Sequence, residues 1–170
     1  MKTEQGNENF LKLISENKGI IVKICNSYCY NKVDREDLAQ EIMYVLWKGY
    51  KTYNPAFKFS TWMYRVALNV AISFYRATKK LDNNISLADI SFEIENKMNN
   101  ETTPEENVKT LQKEISLLNE FDKALVMLYF EEKSYKEIAE IMGISETNVA
   151  TKVNRIKKRL KQNITNAIKR

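Results

Sequence analysis

The sequence predicts an all-α protein built as two small helical domains on a flexible acidic linker. Three observations point there. Turn-formers are scarce, with only 4 Gly and 2 Pro in 170 residues. Apolar residues recur at helical spacing over long runs, with little of the alternation that strands require. Charge is also divided: residues 81–108 hold seven acids against one base, Lys97, a net of −6, which leaves +11 on the rest of a chain of net charge +5. Basic ends around an acidic middle suit two nucleic-acid-binding bodies separated by a segment that avoids DNA.

Residues 7–80 read as the first body. Its opening helix spans about Asn7 to Ser27, with Phe10, Leu11, Leu13, Ile14, Ile21, Val22 and Ile24 as core positions. After the polar break Tyr30-Asn-Lys32, Asp34 caps a second helix reaching about Tyr50. Leu38, Ile42, Val45 and Leu46 share its apolar face, while Asp37, Gln40, Glu41, Tyr44 and Lys48 share the opposite one. An acid-and-amide face on a basic protein suits docking to a positively charged protein partner. Asn54-Pro55 marks a loop, and Ser60 caps a third helix running to about Lys80. Met63, Val66, Val70 and Phe74 are assigned to its core; Trp62, Arg65, Asn69 and Arg76 share another side.

Between Tyr50 and Arg65 the aromatics Tyr50, Tyr53, Phe57, Phe59, Trp62 and Tyr64 interleave with Lys51, Lys58 and Arg65. Aromatic platforms among cations suit unpaired bases, where stacking is worth about 1–3 kcal/mol per base. Roughly half of these rings are expected to serve the core instead, with Phe57, Phe59 and Trp62 open to either role.

Residues 81–102 are rich in Asn, Asp, Glu and Ser without sustained periodicity, and read as the linker. The second body, 103–170, opens on Thr103-Pro-Glu-Glu106, with Thr at the N-cap, Pro at the first helical position and acids in the first turn. Leu111, Ile115 and Leu118 follow on one face, and Asn119 caps a helix through Leu125, Met127, Leu128 and Phe130.

The stretch Ser134 to Leu160 then has the construction of a helix-turn-helix. Ser134 and Glu137 form a capping box, and Ile138, Ala139, Ile141 and Met142 give an apolar face. Gly143 suits a left-handed cap, and Ser145 caps the next helix, flanked by Ile144 and Val149 as a hydrophobic staple. At 100° per residue, Val149, Val153, Ile156 and Leu160 fall within about 60° of one another and form the buried stripe. Thr147, Thr151, Asn154, Arg155 and Lys158 project the other way, flanked by Asn148 and Lys152. Hydroxyls, amides and a guanidinium at the front of such a helix match base edges in a major groove. Lys157, Lys158, Arg159 and Lys161 follow where phosphates are neutralised, and Glu146 to Arg170 carries eight bases against one acid.

Other classes find little support. With no His and no Gly-rich phosphate loop, catalysis has no obvious apparatus, and no cofactor is expected. Cys25 and Cys29 lie four apart but no second ligand pair follows, so buried reduced thiols are expected rather than a metal site. No run of about 18 apolar residues and no leader segment occur, which predicts a cytoplasmic protein without membrane insertion of its own.

Asp34-Arg-Glu-Asp-Leu-Ala-Gln-Glu41 and Tyr53-Asn-Pro-Ala-Phe-Lys-Phe-Ser-Thr-Trp-Met-Tyr-Arg-Val-Ala-Leu-Asn69 resemble conserved region 2 of extracytoplasmic-function (ECF) RNA polymerase sigma factors. Leu118 through Leu160 is similar to their region 4. The resemblance implies a non-enzymatic subunit that directs core polymerase to promoters and helps open them. It puts Asp37, Gln40, Glu41 and Tyr44 on the helix that docks to the clamp of the largest polymerase subunit. It puts the loop Asn54 to Ser60, with Phe57 and Lys58, and then Trp62, Tyr64, Arg65, Asn69 and Arg76 on the −10-reading and melting surface. Thr147, Asn148, Thr151, Lys152, Asn154, Arg155 and Lys158 fall on the −35-reading helix, in a domain that also touches the polymerase flap. An anti-sigma partner, often membrane-anchored, is implied as well. Thr151-Lys-Val-Asn154 departs from the more arginine-rich helices common in the family, so the promoter sequence does not follow. On the residues alone the alternative is a stand-alone helix-turn-helix regulator with an amino-terminal effector or dimerisation domain. The aromatic loop and acidic face have no use there.

Overall fold

Three long helices with one tyrosine- and tryptophan-rich corner make up the first half of the chain, seen in a computed structural model that describes residues 2–82 and 104–168. The chain divides into two units, residues 1–88 and 89–170. Among the described residues there is no strand. Most of the linker expected over 81–102 lies outside them.

In the first unit α1 (Lys2–Tyr28), α2 (Lys32–Gly49) and α3 (Phe59–Asp82) pack on one another, with a 3₁₀ turn, Tyr50–Thr52, after α2. The cap of α2 is Asn31 rather than Asp34: Asn31 Oδ1 accepts from the Asp34 amide at 2.7 Å, while Asn31 Nδ2 donates to the Asp34 carboxylate at 2.6 Å. Asp34 thus sits in the first turn, where its charge favours the helix dipole. Likewise α3 starts at Phe59, not after Ser60. The Trp62 amide donates to the Lys58 carbonyl at 3.2 Å, because packing of Phe59 against Tyr53 and Trp62 sets the first turn.

The core of this unit joins Phe10, Ile14, Ile21 and Ile24 to Leu38, Ile42 and Leu46, which are fully covered, and to α3. Two expected core residues of α1, Leu11 and Val22, are exposed, each lying about 100° around the helix from the buried Phe10 and Ile21. On α3 the buried stripe is Met63, Tyr64, Ala67, Leu68, Ala71 and Ile72, while Val66, Val70 and Phe74 are half-buried at its edge. The expected face is therefore rotated by about one residue. Ala67 and Ala71 explain it: small side chains let neighbouring helices approach, so the closest packing falls on them rather than on bulkier residues. Cys25 and Cys29 are buried free thiols. Burial, then charge on Cys25 and Asp34, pushes the Cys29 thiol up to about 11, against an opposing effect of Arg35.

In the second unit α7 (Glu146–Ile168) packs on α4 (Pro104–Ser116), α5 (Glu120–Phe130) and α6 (Tyr135–Met142). Pro104 opens α4, whereas Thr103 lies outside the described residues. The core brings Leu125 and Leu128 against Ile138 and the stripe Val149, Val153, Ile156 and Leu160. Phe130 is exposed at the end of α5. Beyond it the helix closes with Lys133 N donating to Leu128 O at 3.2 Å and Glu132 N to Tyr129 O at 3.1 Å. Glu132 takes the left-handed position of this Schellman turn at φ 55°, where glycine is usual.

Candidate nucleic-acid and partner interfaces

The turn before α7 is set by local chemistry. Ser134 and Glu137 make both halves of a capping box, at 3.2 Å and 3.0 Å. Gly143 adopts φ 68°, and the amides of Gly143 and Ile144 both return to the Ala139 carbonyl. The Asn148 amide then donates to Ser145 Oγ at 3.2 Å, capping α7. With Val149, Val153 and Ile156 buried, Thr147, Asn148, Thr151, Asn154, Arg155 and Lys158 are exposed together and Lys152 is half-buried beside them. Thr151 Oγ1 donates to the Thr147 carbonyl at 2.9 Å.

Helix α5 braces the cations of α7 at three places. Lys152 Nζ lies 5.5 Å from the Phe121 ring centre, and Arg155 Nη2 pairs with Asp122 Oδ2 at 3.8 Å. Further along, Lys157 Nζ donates to the Tyr129 hydroxyl at 3.2 Å, which holds the ammonium pKa above its usual value. Sequence reading missed Phe121, Asp122 and Tyr129, since only the tertiary fold brings them to α7. Between α4, α5 and α7 lies a groove of about 590 Å³ whose apolar lining includes Leu111, Val126, Phe130, Val153 and Ile164, with Lys157 and Lys161 also along it.

In the first unit, the interleaved aromatics sort into framework and surface. Tyr50 and Tyr53 stack with planes 16° apart, and Phe59 meets Tyr53 edge-on at 5.5 Å and Trp62 at a tilt of 46° and 5.4 Å. Phe10 joins the cluster through Tyr50 at 5.0 Å and Trp47 at 5.2 Å. Phe59 is 7% exposed and belongs to the core, whereas Phe57 is 62% exposed at the loop tip and Trp62 is half-buried. The loop is pinned beneath Phe57: Tyr53 Oη donates to the Phe57 carbonyl at 2.6 Å and the Phe57 amide donates to Asn54 O at 3.1 Å. Tyr64 is a correction. At 3% exposure it faces the core of the unit rather than the surface, because it lies on the alanine side of α3. Arg65, Asn69 and Arg76 do share an exposed face of α3, on the Trp62 side, and Lys58 is exposed nearby in sequence.

The third surface is α2. Asp37, Gln40, Glu41 and Tyr44 are all exposed, opposite the fully covered Leu38, Ile42 and Leu46. Lys48 Nζ sits 5.7 Å from the Tyr44 ring centre. Trp47, 45% exposed, extends this face toward Phe10 and was not anticipated.

Comparison with known proteins agrees with this layout. The Sigma-70 region 2 family model matches residues 13–81, and the Sigma-70, region 4 model matches residues 109–160. The ECF RNA polymerase sigma factor SigM of Bacillus subtilis (strain 168) is 30% identical over 129 residues, covering 74% of this chain and 77% of its own. SigW of the same organism, also an ECF sigma factor, is 27% identical over 165 residues, covering 91% and 88%. The RNA polymerase sigma factor YlaC, again from that strain, is 28% identical over 135 residues, covering 76% and 77%. Among solved structures, the sigma factor RpoE of Bartonella quintana in complex with the anti-sigma factor NepR has a TM-score of 0.60 at 16% identity, covering 94% of this chain and 96% of its own. CnrH, solved with the cytosolic domain of CnrY, has a TM-score of 0.63 at 16% identity, covering 92% and 87%. A three-helix unit with an aromatic corner followed by a helix-turn-helix unit defines a transcription initiation factor of the sigma-70 class. Within that class the chain belongs to the ECF family of RNA polymerase sigma factors.

Proposed function

We propose that the three surfaces divide the work of promoter recognition. The acid-and-amide face of α2, with Asp37, Gln40, Glu41 and Tyr44, docks on the clamp of the largest polymerase subunit. The Asn54 to Ser60 loop, with Phe57 and Lys58, and the face carrying Trp62, Arg65, Asn69 and Arg76 hold an unpaired strand of the −10 element. The exposed face of α7 reads the −35 element as duplex, and the groove beside Phe130 receives the flap. The first unit and its boundaries near residues 7–80 are thus the opening module, and residues 103–170 the duplex-reading module.

The observation that carries this reading is an exposed Phe57 on a loop pinned by Tyr53, whose ring also packs on the half-buried Trp62, with Lys58 and Arg65 exposed in the same stretch. A duplex reader has no need of it. Unpairing costs about 1.4 kcal/mol per stacked step, and stacking on a ring returns about 1–3 kcal/mol per base, so one or two rings with phosphate contacts offset a short bubble. The protein acts by binding and needs no catalytic group. Its work on core polymerase sets its place in the cytoplasm, and among the described residues no helix is long and apolar enough to cross a membrane. An anti-sigma protein as a partner is supported by the solved relative RpoE, which is bound to one. Run-off transcription with purified core polymerase on randomised promoter templates tests the whole: the chain redirects start sites to one motif, and binds duplex only weakly when polymerase is omitted. Unchanged start sites overturn the proposal, and tight specific binding by the chain alone favours the stand-alone regulator.

A further inference from the structure

The first turn of α5 reaches two cations of α7, and one of these contacts has no role in the helix-turn-helix scaffold. Asp122 is 5% exposed, yet its Oδ2 pairs with Arg155 Nη2, whose side chain is 67% exposed. The carboxylate itself is held. Asp122 N donates to Asn119 Oδ1 at 2.8 Å, and Asn119 Nδ2 donates back to Asp122 Oδ2 at 2.9 Å. The same reciprocal pair caps α2 through Asn31 and Asp34, so capping and the helix dipole account for the bonds to Asn119 but not for the contact with Arg155. A carboxylate fixed inside the domain and turned to an arginine on the exposed face of α7 goes beyond capping.

We propose that Asp122 is a positioning residue for promoter specificity, holding the Arg155 guanidinium so that it addresses a base edge rather than the nearest phosphate. The inference rests on α7 entering the major groove. A long arginine free to swing pairs with phosphates along the backbone, which adds affinity without sequence information. Anchored through one Nη, it keeps its remaining donors in a rigid fork, the geometry that matches the paired acceptors of guanine. The neighbouring Phe121 contact restrains Lys152 in the same turn, so the fixed part of the reading face is the part that α5 touches.

The test uses the full chain with core polymerase, transcribing a pool of templates randomised across the −35 element, with transcribed templates sequenced. The variants are Asp122→Asn, Arg155→Ala and the double variant. The wild type prefers one base pair by about tenfold through Arg155, and Arg155→Ala removes that preference. Asp122→Asn lowers the preference at the same pair at least about threefold, leaves other positions alone, and adds nothing in the Arg155→Ala background. It also steepens the dependence of log affinity on log salt by about 0.9, since the released guanidinium takes a phosphate. Retained preference and salt slope in Asp122→Asn, beside a normal loss in Arg155→Ala, overturn the role of Asp122 while leaving α7 as the reading helix. A wild type that enriches no motif overturns both. If Asp122→Asn melts below the assay temperature, Asp122→Ser carries the same comparison, and uniform loss at every position marks Asp122 as merely structural and overturns the proposal.

Discussion

Truncating Phe57 and Phe59 separately to alanine pulls apart two jobs that a single stretch of sequence performs. Phe59 is 7% exposed and contacts Tyr53, Trp62 and Tyr50, with ring centres 5.5, 5.4 and 6.4 Å away. Removing a buried phenyl costs about 3–5 kcal/mol from lost transfer energy and the cavity left behind. In a unit of this size each kcal/mol moves the melting temperature by about 4–8 °C, so Phe59→Ala lowers the melting of the first unit by roughly 12–40 °C. Phe57, 62% exposed, is held through its backbone by Tyr53 Oη and Asn54 O, and truncation leaves both bonds in place. Its stability cost stays within about 0.5 kcal/mol. If Phe57 stacks on an unpaired base, its loss removes about 1–3 kcal/mol of strand stabilisation, a drop of roughly 5- to 150-fold in the open-complex equilibrium. Permanganate reactivity of −10 thymines in the holoenzyme reads opening, and near-UV circular dichroism against temperature reads the fold. A Phe57→Ala protein that opens promoters at the wild-type level, or melts as low as Phe59→Ala, refutes the division.

Four other outcomes follow from the structure. Arg155→Ala weakens one class of upstream element, whereas Lys158→Ala weakens all of them alike and lowers the salt slope by about 0.9; equal promoter ranking in both variants contradicts this. Gly143→Ala costs about 1–2 kcal/mol in urea melts, because φ 68° penalises any Cβ although nothing lies within 4 Å of it. Glu132→Gly has the opposite sign and stabilises by up to about 1 kcal/mol, since Glu132 already holds φ 55° at a Schellman turn. The buried Cys29 thiol binds its proton more tightly folded than unfolded, so its contribution is whole below about pH 8.5 and is lost as pH rises toward about 11, up to about 3 kcal/mol. Urea melts from pH 8 to 10.5 therefore fall more steeply for the wild type than for Cys29→Ala.

What the sequence made legible was what neighbours in the chain decide. Asn119, Ser134, Gly143 and Ser145 were identified because a cap or left-handed turn depends on residues within four positions. Even here Asn31 was passed over for Asp34, since both are cap residues and only their reciprocal bonds show which one stands outside the helix. Faces were harder. On α7 the four branched or long aliphatics carry the buried stripe alone, so its exposed face was legible. On α3 the stripe runs through Ala67 and Ala71, which weigh little in any hydrophobic pattern, so nothing local contradicts the resemblance that puts Tyr64 on the −10-reading surface. The Asp122–Arg155 and Tyr129–Lys157 contacts join α5 to α7 across the fold, and no local pattern announces them.

The two surfaces proposed to face DNA differ in how they are stiffened, and the difference suits the tasks proposed for them. Duplex DNA offers a fixed pattern of donors and acceptors, so a reader gains from side chains whose orientation is settled beforehand. On α7, Lys152, Arg155 and Lys157 are each tied back to α5, by a ring, a carboxylate and a hydroxyl. An unpaired strand offers π-faces without fixed direction, so a platform need only be rigid in its backbone. The Phe57 loop meets that need: its main chain is bonded to Tyr53 and Asn54 while its ring stands clear. The prediction that separates these designs is a double substitution, Tyr53→Phe, which removes the 2.6 Å bond to the Phe57 carbonyl while leaving the ring in the stack, combined with Phe57→Ala. If Tyr53 matters to opening only by steadying that platform, Tyr53→Phe lowers opening several-fold in the wild type and not at all once Phe57 is gone. Equal losses in both backgrounds would show that Tyr53 acts on DNA directly and that the loop is not the platform.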